Sequence, residues 1–131
     1  MSMEFDDRTS RLLDGRNFAT VATLDPDGGP QTSVVWFARD GNTVVFSALA
    51  GRRKVKNLAR DPRVSLTVYD RENPYHSVDI RGTAQIVEDR EKSLPRRLSQ
   101  KYLGEDPPAE REEMLRVIVR VTPHKITGFS L

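Results

Sequence analysis

The sequence predicts a mainly β protein, a closed or nearly closed β-barrel of six or seven mostly antiparallel strands with a few helices inserted. Three observations carry this prediction. Short segments rich in β-branched residues and alternating in polarity recur along the chain. Tight-turn chemistry such as DPDGG and DGN separates the early ones, at hairpin spacing. No strand–helix–strand rhythm runs through the chain, which argues against the parallel α/β folds.

The elements follow in order. Residues 5–15 (FDDRTSRLLDG) read as a short helix, with Phe5, Leu12 and Leu13 as its apolar face and Gly15 as its stop. Residues 17–25 (NFATVATLD) form a strand. DPDGGP (25–30) is a turn, with Gly28 and Gly29 supplying positive φ. QTSVVWFA (31–38) is the next strand, Asp40-Gly41 closes a hairpin, and TVVFSAL (43–49) returns. A helix follows, with Val55, Leu58 and Ala59 at helical spacing, and Asp61-Pro62 ends it. Residues 62–70 form a strand, 71–76 (RENPYH) a loop, and 77–89 (SVDIRGTAQIVED) a long strand with a bulge or bend at Gly82. Residues 90–104 are helical, with Leu94, Leu98 and Tyr102 inward, and Pro95 marks an alternative start. A loop with room for a short helix spans 105–114, and 115–123 and 124–130 form two final strands.

Length suits one domain over 1–131, with enough burial for a real core. Lys plus Arg total 21 against 19 acidic residues, so the net charge of +2 is too small to make nucleic acid the default partner. The absence of cysteine excludes disulfides, thiolate nucleophiles and Cys metal sites. The N-terminal MSMEFDDRTS has no apolar signal core, and no apolar run is long enough to cross a bilayer, so a soluble cytoplasmic protein is expected.

Two stretches carry function. In QTSVVWFA one face holds Gln31, Ser33, Val35 and Phe37, and the other Thr32, Val34, Trp36 and Ala38. Both are apolar in their second half, so the outer one needs cover from a helix, a second subunit or a flat ligand. In LAGRRKVKNL a helix begins with Arg52, Arg53, Lys54 and Lys56, where the macrodipole favours anions. Such a start is either a solvated cationic face or a site where phosphate meets free N–H groups and basic heads together, with Gly51 allowing close approach and Ser47 adding a hydroxyl.

PQTSVVWF, VVFSA, GRRKVKNLARDPRVSL and DIRGTAQIVED, in that order, resemble the pyridoxamine 5′-phosphate oxidase-like family of flavin- and deazaflavin-binding split β-barrels, over nearly the whole chain. RVIVRVTPHKITGF and KYLGED resemble its small actinobacterial branch that uses the deazaflavin coenzyme F-420. The resemblance implies a homodimer with two cofactors at the subunit interface. It implies phosphate binding by Arg53 and Lys54, with Arg52, Lys56 and Asn57 beside them and Ser47 at the strand end. It places the ring system against Gln31, Thr32, Ser33, Val34, Val35 and Trp36, and closes the site with Tyr75 and His76 of the other subunit. FMN-using oxidases of the family carry a lysine near Phe37 or Ala38; its absence here favours F-420, with FMN as the alternative.

The function expected is an F-420-dependent reductase that transfers a hydride to an electron-poor double bond of a small planar substrate. The alternatives are an FMN-dependent oxidase-like enzyme and a non-catalytic F-420 or haem carrier. No catalytic residue is assigned; a proton could come from water, Tyr75 or His76. His76 and His124 lack metal-ligand spacing, and no GxSxG, Walker or GxGxxG pattern occurs.

Overall fold

The computed structural model describes residues 3–130. In chain order its elements are α1 (Asp7–Asp14), β1 (Ala19–Leu24), β2 (Pro30–Val35), β3 (Ala38–Asp40), β4 (Thr43–Leu49), α2 (Arg53–Arg60), β5 (Arg63–Asp70), β6 (Asn73–Glu88), α3 (Ser93–Leu103) and β7 (Arg116–Phe129). The strands form one sheet in the order β2-β1-β5-β6-β7-β4-β3, with every neighbouring pair antiparallel.

β2 and β3 stand at opposite ends of that order, yet only Trp36 and Phe37 separate them in the chain. That link spans at most about 11 Å, so the two sheet edges must come together and the sheet must curl. No ladder joins β2 to β3, so the barrel is split along this line. The single strand expected over 31–38 is therefore two strands. Phe37 turns inward and is fully buried, while Ala38 starts the other edge.

The interior is filled by alternate residues of the strands, among them Val21, Phe46, Leu66, Val68, Ile80, Val119 and Val121, all 1% exposed or less. Burying each such side chain contributes about 1.5–3 kcal/mol. Leu12 and Leu13 of α1 and Val55 and Leu58 of α2 join the same cluster, whereas Ala59 is exposed. A second cluster lies on the other side of the sheet. There Leu94 and Leu98 of α3 pack on Ala38 and Val45, flanked by Tyr102 and Ile118. Thus the chain's own helix covers part of the doubly apolar segment: Ala38 and Trp36 meet α3, but Val34 stays 68% exposed.

Several boundaries differ from expectation. Only Gly28 of the DPDGGP turn has positive φ (87°); Gly29 does not need it, because its N–H is held by Asp27 Oδ1 at 2.8 Å. The loop expected over 71–76 shrinks to a tight turn, and Pro74, Tyr75 and His76 belong to β6. Pro74 is tolerated because β7 first pairs with β6 at Ser77, so no ladder partner misses its N–H. The last two expected strands are one, β7. Its register jumps between Arg81↔Lys125 and Gly82↔Pro123, leaving His124 as the extra bulge residue, and this bulge accommodates Pro123. Gly82 lies opposite, where a Cβ would sit 2.2 Å from the Thr122 carbonyl oxygen. α3 starts at Ser93 rather than at Pro95, because Asp89 accepts from the N–H groups of Ser93 and Leu94, both at 3.0 Å. Pro95 then falls in the first turn, where its missing N–H costs nothing. Residues 105–114 hold no helix.

Candidate cofactor site

β4 leads through Ala50 and Gly51 into α2, and this corner borders a cavity of about 330 Å³. Val34, Val35 and Trp36 form one wall, and Ser47, Ala48 and Leu49 of β4 another. Arg52 and Lys54 come from the start of α2, Pro95, Leu98 and Ser99 from α3, Pro107 from the following loop, and Arg116 from the start of β7. The site thus collects residues from across the fold around one helix N-terminus.

The corner is held from below by apolar packing of Val55 and Leu58. From the side, Arg53 donates to Asp25 with both Nε (2.8 Å to Oδ1) and Nη2. Asn57, buried, donates Nδ2 to Asp25 Oδ1 at 2.9 Å and to Thr23 Oγ1 at 3.1 Å. These bonds tie α2 to the β1–β2 turn. The Arg53 guanidinium and Asn57 hold the Asp25 carboxyl below its ordinary range.

The first turn of α2 is electrostatically unusual. It holds no acidic residue, and its N-cap, Arg52, makes no side-chain capping bond. The Val55 N–H donates to the Arg52 carbonyl at 3.0 Å, but among the described residues the N–H groups of Arg53 and Lys54 have no acceptor, and the helix dipole adds positive potential. Lys54 is half-buried, and burial, then the nearby Arg52, pushes its ammonium below the ordinary lysine pKa. Among the described residues neither Arg52 nor Lys54 has an ion-pair partner. The hydroxyls of Ser33 and Ser47 are the only buried side-chain polar atoms left without a hydrogen-bond partner among the described residues. A buried orphan hydroxyl and a desolvated cation without its anion both carry an energetic cost that a bound anion would relieve.

Trp36 is fixed by stacking. Its ring lies 4.9 Å from Tyr102 at 15°, and Tyr102 lies 5.6 Å from Phe18 at 10°. The Tyr102 hydroxyl donates to the Asn17 carbonyl at 2.5 Å and accepts from the Phe37 N–H at 3.3 Å. Burial pushes that phenol up to about 12. Next to it Lys101 donates to the carbonyls of Leu13 (3.0 Å) and Phe37 (2.8 Å) and lies 4.2 Å from the Phe37 ring centre. This framework makes the Trp36 wall rigid while leaving Trp36 37% exposed.

Of the residues expected at the site, Val34, Val35, Trp36, Ser47, Arg52 and Lys54 converge on the cavity. Arg53 and Asn57 stand behind it in the Asp25 network. Gln31 is occupied with Thr23 and the Thr32 carbonyl at the far end of β2, near Thr32 and Ser33, and Lys56 is exposed. Tyr75 and His76 lie at the β5–β6 hairpin, where His76 lines a separate concavity with Arg11, Arg16 and Arg71. Arg116, Ser99 and Leu98 were not anticipated. Arg116 carries no local signal, being one of 21 basic residues at an ordinary strand start. Leu98 is expected only on the apolar face of its helix, and Ser99 is not expected there at all.

Residues 5–130 match the family described as Pyridoxamine 5′-phosphate oxidase. A pyridoxine/pyridoxamine 5′-phosphate oxidase of Kineococcus radiotolerans is 34% identical over 95 residues, which are 72% of this chain and 39% of that protein's length. Among solved structures, an F-420 reductase superposes with TM-score 0.83 at 32% identity, covering 90% of this chain and 94% of its own. A conserved hypothetical protein of Mycobacterium tuberculosis gives 0.80 at 26% identity, covering 98% and 86%.

Proposed function

The chain belongs to the pyridoxamine 5′-phosphate oxidase family, a family of oxidoreductase type, and from that premise we propose that it is a coenzyme F-420-dependent reductase acting on a small planar substrate. The observation that carries the reading is the cavity itself. An uncapped helix start, Arg52, and, among the described residues, a desolvated Lys54 without a counter-ion and the orphan Ser47 hydroxyl all suit a phosphate group there. The 32% identity to an F-420 reductase over almost the whole chain supports the deazaflavin over other phosphorylated ring cofactors. The likeness to a pyridoxamine-phosphate oxidase keeps FMN as the second reading.

Ser47, Lys54 and Arg52 would hold the phosphate, and Val34, Val35 and Trp36 would border the ring system. When bound and reduced, a deazaflavin supplies a hydride. The protein's part is to orient and to exclude water. Tyr102 braces Trp36 so that the wall keeps its shape, and Leu98 and Pro95 close the apolar side. No side chain of this chain is assigned as proton donor.

The reading includes a homodimer, in which a second copy completes the cavity and covers Val34. It also places the protein in the cytoplasm; among the described residues no helix is long and apolar enough to cross a membrane. Turnover separates an enzyme from a cofactor carrier. Mixing the protein and reduced F-420 with quinones, tetrapyrroles and unsaturated lactones should accelerate oxidation of the deazaflavin by at least one acceptor. Binding without acceleration by any of them would make the protein a carrier.

A further inference from the structure

Arg116 is the one cation of the cavity that is already engaged. The backbone fixes it on two sides: its Cα pairs with Leu49 of β4, and its carbonyl accepts from the Asp89 N–H at 2.9 Å. Its Nε and Nη2 donate to Glu110 Oε1 and Oε2 at 3.1 and 2.8 Å. That two-point grip is the one arginine uses on phosphate. Both side chains are 24% exposed, so the pair is neither fully solvated nor sealed in.

Glu110 comes from residues 104–115, which connect α3 to β7 without helix or strand. The connection carries Glu105, Asp106, Glu110, Glu112 and Glu113 against a single cation, Arg111. It reaches the cavity through Pro107. Lys92 tethers it: its Nζ stands 3.4 Å from Glu110 Oε1 and donates to the Arg111 carbonyl at 3.1 Å. Lys92 has φ 54°, a left-handed conformation uncommon for a residue with a side chain.

We propose that Arg116 is a further cation of the cofactor's phosphate site, and that Glu110 is the carboxylate it gives up to grip the ligand's anion. Residues 104–115 are then a lid latched by that ion pair. The proposal deepens the cofactor reading above and rests on it. Two anions facing Arg116 in a partly desolvated cavity repel each other, so an incoming phosphate expels Glu110. Lys92 keeps the released carboxylate and its segment attached to the protein. The latch also selects. A ligand with a strongly anionic group can displace Glu110, and an uncharged ring cannot, so discrimination comes from a competing internal anion as well as from attraction.

The test uses the full chain, the variants Glu110→Gln, Arg116→Gln and the double variant, and two probes, F-420 and inorganic pyrophosphate, in calorimetric titration. Glu110→Gln should tighten the probes by about three- to tenfold, the scale of a partly exposed ion pair. Arg116→Gln should weaken them by about tenfold or more. The double variant should match Arg116→Gln, because the carboxylate matters only through the guanidinium. In the wild type, amide exchange across 105–114 should quicken when a probe binds, a change that a purely structural ion pair would not give. Equal affinities of wild type and Glu110→Gln, slower exchange on binding, or no binding of either probe by any variant would overturn the latch. Pyrophosphate following the pattern while F-420 fails to bind would support the latch and refute the cofactor reading.

Discussion

Replacing Lys54 by methionine should move ligand affinity and free-protein stability in different directions. Lys54 is half-buried, has no ion-pair partner among the described residues and lines the cavity beside Arg52 and Arg116. In the free protein its charge is a liability, since burial lowers its pKa and the Arg52 charge lowers it further. Methionine keeps the length of the side chain and removes that liability, so the melting temperature of the free protein should stay level or rise. In the complex the same ammonium becomes a charge-assisted donor, worth about 1.5–3 kcal/mol. Arg52 and Arg116 remain to share the anion, which places the loss near 2 kcal/mol, about thirtyfold in Kd. The pH dependence has a definite sign. A bound phosphate favours the protonated lysine, so wild-type affinity should be greatest below the lowered pKa of the free protein and fall as pH rises through it. Lys54→Met should lack that fall. The assay is fluorescence titration with F-420 across pH, beside thermal melts of the free proteins. A variant that loses stability and binding together, or one that binds as tightly as wild type, would rule out this role for Lys54.

Gly82→Ala should destabilise by about 1–3 kcal/mol, as overpacking does, since its Cβ would lie 2.2 Å from the Thr122 carbonyl oxygen; a denaturation midpoint equal to wild type would contradict the geometry. Burial holds the Lys101 ammonium down to about 8, against 10.5 for the ordinary side chain. Between those values the folded state binds fewer protons than the unfolded chain, so wild-type stability should rise with pH there. Urea melts from pH 8 to 10.5 should show this rise and its loss in Lys101→Met; parallel profiles would contradict it. Sedimentation at micromolar concentration should give a dimer, and a monomer would remove the second copy from the site.

Much of the barrel was readable because its elements are local. The alternation of NFATVATLD, the Gly15 stop of α1 and the Asp40-Gly41 turn act within a few residues. What escaped was set by partners distant in sequence. Nothing within QTSVVWFA says that Trp36 and Phe37 bridge two edges of one sheet; that follows from the pairing of β2 with β1 and β3 with β4. Pro123 looked like a strand terminator, and only the His124 bulge opposite Gly82 lets β7 run through it. Tyr75 and His76 looked like loop residues because Asn73 and Pro74 precede them, but they lie within β6, in the irregularity between its pairs Asp70↔Asn73 and Tyr69↔Ser77. At the site, the run Arg52-Arg53-Lys54 was conspicuous, yet sequence could not assign each cation a task. Asp25, brought over by the β1–β2 turn, claims Arg53 and leaves Arg52 and Lys54 at the cavity. Arg116 was invisible for the converse reason. Its place beside Leu49 is a matter of sheet register, and its neighbourhood in the chain is an acidic loop.

In the proposed function, the corner between β4 and α2 holds the phosphate of a deazaflavin. Equilibrium fluorescence titration with F-420, FMN and FAD side by side tests it most directly. F-420 should bind most tightly, and Lys54→Met should weaken its binding by about thirtyfold. Tighter binding of FMN, or F-420 binding that is indifferent to Lys54, would contradict it.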